Sequence, residues 1–116
     1  MERIVLETPP QQWRRLAVFL PIHGESLRDL NPGSHYLELV ADTGNTHYYR
    51  AVLGKIHGKP VGYMRSYMAS YFQPQIIRLN KAGIVPFLHC KIITPNMVLH
   101  RTLDRDDLRR QVEDLI

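Results

Sequence analysis

Two short apolar runs either side of His57-Gly58 constrain this chain more than any other feature. In "RAVLGKIHGKPVGYM" a glycine sits where a tight turn needs a positive φ, and apolar residues flank it on both sides. The pattern predicts a β-hairpin with strands over Tyr48–Ile56 and Lys59–Met64. Pro60 has no N–H, which places the return strand at an edge or at its first pairing position.

Similar short runs fill the rest of the chain. Arg3–Glu7 reads as a strand ended by Pro9-Pro10, and Arg15–Ile22 ("RLAVFLPI") as a buried strand closed by a His23-Gly24 turn. Trp13 reads as a core or rim anchor. Ser26–Asn31 has room for one helical turn, and "NPGS" is loop chemistry. "HYLELVAD" alternates around Glu38 and reads as a strand running into the turn "DTGN". Further on, "IVPFLHCKII" and "MVLHRTL" read as strands joined by "TPN".

Two segments carry helical spacing. Met68, Phe72, Ile76 and Leu79 recur at helical intervals after Ser66, which reads as an N-cap, and before Gly83, which sits where a C-cap belongs. Pro74 falls inside, so the segment is either one bent helix or two short ones. Asp104 opens a C-terminal amphipathic helix with Leu108, Val112 and Leu115 on one face. Asp106 and Asp107 stand in its first turn, where the helix dipole favours negative charge.

About six short strands in 116 residues must shield their edges, and a small, partly open barrel does so. The expected fold class is therefore α+β: a small antiparallel β-barrel of OB or SH3 type, with a helix after the central hairpin and another at the C-terminus. The length fits one domain, 1–116. With 44% hydrophobic and 22% charged residues, the chain belongs with globular rather than disordered sequences. No apolar run approaches the roughly 20 residues of a membrane span. Cys90 is the only cysteine, and the N-terminus has no apolar leader. A cytoplasmic protein with no membrane partner is expected.

Charge is distributed unevenly. All eleven acids lie in residues 2–42 or 104–114, whereas residues 43–103 hold eight Lys/Arg, four His and no acid. A basic middle between acidic flanks predicts one electropositive surface for a polyanion. Rings accompany the cations: Tyr36, His47, Tyr48, Tyr49, Tyr63, Tyr67 and Tyr71 are available for stacking. Arg50, Lys55, Lys59, Arg65, Arg78, Lys81 and Lys91 are available for phosphates. Single-stranded nucleic acid is held by this combination, because every base has a π-face and cations follow the backbone.

Other chemistries lack their signatures. The glycines never fall into phosphate-loop or dinucleotide spacing. His89-Cys90 would point to opposite faces of a strand, and no metal-ligand spacing accompanies them. Cys90 with a histidine, or Ser66 or Ser70 with His57, has no recognisable nucleophile context. No cofactor, metal or catalysis is expected.

The order of pieces resembles the HIRAN domain over roughly residues 16–93. The resemblance rests on Asp42-x-x-Asn45, Ala51-Val52, Val61-Gly62-Tyr63, Ala69, Pro74 and Ala82-Gly83. It implies an OB-like barrel that binds DNA, with capture of a single-stranded 3′ end in the best understood relatives. It places Asn45 at the terminal nucleotide, Tyr63 at the aromatic position after the glycine, and Arg65 and Ser66 at a phosphate. The family's Pro-Tyr-Asp after the asparagine is replaced here by Thr46, His47 and Tyr48, so the carboxylate that would receive the 3′-hydroxyl is missing.

The reading is a non-catalytic DNA-binding module for single strands or ends. Asn45, His47, Tyr63 and Arg65 would form the base-proximal surface, with Ser66 beside Arg65 where the resemblance implies a phosphate, and Arg50, Lys55 and Lys59 would lie along the backbone. The alternative is a phage or mobile-element protein that binds an acidic surface of a host protein complex. The C-terminal helix either packs on the barrel or forms the seam of a homodimer.

Overall fold

The computed structural model describes residues 1–17 and 22–116. In order, these form β1 (Glu2–Val5), β2 (Trp13–Arg15), α1 (Ile22–Leu27), β3 (Gly33–Asp42), β4 (Ala51–Ile56), β5 (Lys59–Tyr63), α2 (Ser66–Lys81), β6 (Ile84–Thr94), β7 (Met97–Arg101) and α3 (Arg105–Leu115). The fold class is the expected one, α+β. A curled sheet in the order β2-β7-β6-β3-β4-β5 makes a half-barrel, and the helices pack around it.

One glycine sets how far the sheet curls. Ala17, just past β2, exchanges both backbone hydrogen bonds with Tyr63 of β5 (2.7 and 3.0 Å), while Leu16 N–H donates to Val98 of β7 (2.9 Å). The Trp13–Ala17 segment thus touches both edges of the sheet. A Cβ at Gly62 would lie 2.6 Å from the Ala17 carbonyl oxygen. No residue with a side chain fits that approach without movement.

Alternation positions the core. In β6, Ile84, Pro86, Leu88, Cys90 and Ile92 are buried, while the residues between them face outward. Leu37, Leu39, Val52, Ile56 and Val61 complete the inner face. α2 covers the barrel with Met68, Ala69, Phe72, Ile76 and Leu79, and α3 adds Leu108 and Val112. The Gln111 side chain clamps the N-terminal segment, accepting from Glu7 N–H (2.7 Å) and donating to Glu7 C=O (3.0 Å). Asp104 caps α3 as expected, accepting from Asp107 N–H at 2.8 Å.

Several expectations are corrected. β1 pairs parallel with the start of β6, because no short turn links them and nothing forces the antiparallel direction. Of the strand read over Arg15–Ile22, only Arg15 belongs to β2; residues 18–21 lie outside the described residues. His23-Gly24 is helical, within α1, rather than a turn. β4 begins at Ala51 instead of Tyr48. The N-cap of α2 is Arg65, without a side-chain bond, so Ser66 is the first helical residue. Of the two alternatives left open at Pro74, the structure shows one helix, α2, running through it.

Candidate nucleic-acid interface

The loop from Asp42 to Ala51 is built on the Asn45 side chain. Its Oδ1 accepts from the backbone N–H of His47 (2.8 Å) and Tyr48 (2.9 Å), and its amide donates to Asp42 Oδ2 (3.2 Å). Asparagine does this routinely in turns. The Tyr63 hydroxyl donates to the same Asp42 oxygen at 3.0 Å. Burial first, and the Asp42 carboxylate second, hold the Tyr63 hydroxyl above its ordinary pKa. Asn45, Asp42 and Tyr63 therefore form one network, and its inner end carries a negative charge.

The same loop docks on the start of α2. Pro74 has no N–H, so the carbonyl four residues earlier, on Ser70, loses its helical partner. Arg50 Nη1 donates to that carbonyl at 3.1 Å, and Arg50 Nε donates to the Tyr49 hydroxyl at 3.2 Å. The guanidinium carbon lies 5.4 Å from the centre of the Tyr49 ring. Buried Gln73 on α2 donates to the carbonyls of Tyr49 and Ala51, both at 3.0 Å. The Tyr48 hydroxyl donates to Ser66 C=O at 3.4 Å. Tyr49 and Tyr67 remain 67% and 59% exposed beside these contacts, and His47 and Arg65 are exposed too. Arg50 also shares a recess of about 380 Å³ with Arg105 and Arg109 of α3, with no carboxylate in its walls.

Six of the eight expected site residues, namely Asn45, His47, Arg50, Tyr63, Arg65 and Ser66, thus gather at one end of the β4–β5 hairpin. Lys55 and Lys59 belong to the other end. Lys55 stands opposite Glu38 of β3, and Lys59 pairs with Asp29 at 3.8 Å. Acids from the N-terminal part of the chain reach this tip, which a linear charge count could not show.

A second set joins Tyr36 and Lys91, already expected among the stacking rings and phosphate-binding cations, to Trp13, His89 and Arg101, a grouping the sequence did not show. Trp13, Arg101, His89 and Tyr36 come from β2, β7, β6 and β3 in turn, and register places them in one row across the outer face. Trp13 and His89 ring centres are 5.9 Å apart, and His89 and Tyr36 centres 5.7 Å. Arg101 and Lys91 lie 4.2 and 4.8 Å from the Trp13 ring centre. Trp13, expected as a core or rim anchor, is half-buried on this outer face. The signal in the sequence was only alternation; pairing order was needed to join four distant strands.

Cys90 and His100 face each other across β6 and β7 on the inner side, both fully buried. Burial pushes the Cys90 thiol up to about 12, leaving almost no thiolate at neutral pH. Desolvation lowers His100 to about 4, against a smaller upward pull from its bond to the Arg101 carbonyl. His100 Nδ1 makes that bond at 2.8 Å, while Nε2 meets no donor among the described residues. His57 sits at the hairpin turn with its ring edge-on to His35, 5.5 Å away, at the opposite end of β4 from Ser66 and Ser70. No group of three or more His, Cys, Asp or Glu side chains suited to a metal ion occurs among the described residues. No described helix is long and apolar enough to cross a membrane.

Compared with protein-family models, curated proteins and solved structures, the chain matches none.

Proposed function

We propose that this chain is a non-catalytic nucleic-acid-binding module that takes single-stranded DNA or DNA ends where the Asp42–Ala51 loop meets α2. One observation carries the reading. The carbonyl freed by Pro74 holds Arg50 in place beside the exposed Tyr49, with exposed His47 in the same loop and exposed Arg65 and Tyr67 at the start of α2. Among the described residues, neither Arg50 nor Arg65 is ion-paired with a carboxylate. A fixed guanidinium beside uncovered rings suits a phosphate flanked by unstacked bases. The HIRAN-like order of elements supports the same reading, with Asn45 shaping the loop and Tyr63 held beneath it.

The experiment is a salt-dependent titration of single-stranded and duplex DNA against the parent chain and Arg50→Ala with Arg65→Ala. The parent is expected to prefer the single strand. The double variant is expected to bind all sequences more weakly and to reduce the slope of log affinity on log salt by about two. An unchanged slope overturns the assignment. A parent chain that binds no DNA, yet captures an acidic protein partner, transfers the site to the interaction-module reading.

A further inference from the structure

The outer face of β2, β7, β6 and β3 holds a second arrangement suited to a polyanion with flat bases. Two adjacent rows cross it. Trp13, Arg101, His89 and Tyr36 form the first, and Arg15, Leu99, Lys91 and Ser34 form the second. Neither row contains a carboxylate. Arg15, Lys91 and Arg101 take no part in an ion pair among the described residues. The next row neutralises its cation, with Glu38 opposite Lys55, whereas here Arg15 and Arg101 donate to the neutral carbonyls of Asn96 and Pro9 at 3.4 and 3.2 Å and keep their charge uncompensated.

The dimensions fit a strand of nucleotides. With strands about 4.8 Å apart, the row from Trp13 to Tyr36 spans about 14 Å, room for two to three extended nucleotides. Tyr36, 56% exposed, ends the row at an open recess of about 730 Å³ that His35, His57, Phe87 and Arg3 help to line, together with Glu38. Duplex bases are stacked on one another and present only their edges, so rings of this kind favour an unpaired strand.

We infer that this face is a second binding surface, which takes single-stranded nucleic acid running across β2, β7, β6 and β3, with bases on Tyr36 and His89 and phosphates on Lys91 and Arg101. The inference deepens the proposed function and rests on that reading for the class of ligand. Its residues are separate from the loop site.

Trp13 is the only tryptophan, so its emission reports on this face alone. The full chain is titrated with dye-labelled oligothymidylate, following dye anisotropy and Trp13 emission together. Anisotropy is expected to rise while Trp13 emission changes. Lys91→Ala with Arg101→Ala is expected to lower the salt slope by about two. Tyr36→Ala, at a position 56% exposed, is expected to weaken binding at least about fivefold. The emission change is expected to persist in Arg50→Ala, which alters only the loop site.

Binding that Arg50→Ala with Arg65→Ala abolishes, while Trp13 emission stays constant and Tyr36→Ala matches the parent, overturns the second surface and leaves the loop site standing. No binding at low salt removes both. Polyglutamate that changes Trp13 emission as strongly as the oligonucleotide also overturns the inference, since an acidic peptide has no bases to stack.

Discussion

The two sides of β6 and β7 are made of alternate residues from the same strands, yet they obey opposite physical rules. Inward, Leu88, Cys90 and His100 are fully buried, and the polar groups among them are held neutral. Outward, the polar side chains of His89, Lys91 and Arg101 surround Trp13. The inner face rewards shape and penalises charge, because water is excluded there. The outer face tolerates cations at little cost, so its content is free to serve binding. Stability should therefore reside inside and affinity outside.

The largest loss of stability is expected from truncation on the inner face. Leu88→Ala is expected to cost about 2–5 kcal/mol in urea unfolding, while the molecules that remain folded keep their affinity for DNA. A loss below about 1 kcal/mol would mean that the half-barrel collapses around the gap.

Next in size is the effect of acid on His100. Its native pKa, lowered to about 4, lies below the ordinary value of 6.5. The unfolded chain therefore takes up a proton that the native state refuses. The contribution is fully present above pH 6.5 and is lost as pH falls toward 4, about 3 kcal/mol in all. His100→Leu should flatten this part of the stability profile relative to the parent. An identical slope in the variant would show that other groups govern acid sensitivity.

The smallest stability change is expected outside. Tyr36→Ala should shift unfolding by no more than about 0.5 kcal/mol, and Lys91→Ala with Arg101→Ala by about 1–2 kcal/mol, since both cations lie over Trp13 and Arg101 donates to the Pro9 carbonyl at 3.2 Å; it is their DNA affinity that should fall. A large loss of stability there would make the outer row part of the fold's support, and the division between the faces would not hold.

Much of the fold was legible from local chemistry. His57-Gly58 turns the hairpin, with both residues at positive φ, and Asp104 caps the last helix. The apolar alternation of β6 announced its buried face. The misreadings share a cause. Ser66 is a good cap by type, but the approach from β5 leaves Arg65 in that position, its side chain unused. The Tyr48–Arg50 run has strand propensity, but Asn45 and Gln73 bind its backbone in a loop. Pro74 left open one bent helix or two short ones; packing kept the helix whole, and Arg50 took the freed carbonyl. Tertiary partners outweighed weak local preferences in each case.

The candidate site divides along the same line. That residues 43–103 have no acid and that tyrosines accompany their cations is legible without any fold, because composition along a chain is independent of folding. Folding alone selects which charges are left unneutralised. It brought Asp29 to Lys59 and Glu38 opposite Lys55, and it aligned Trp13, Arg101, His89 and Tyr36 from four separate strands. Electrostatic and stacking interactions depend on distance through space, and distance along the chain is a poor guide to it once a sheet has curled and met its own edge.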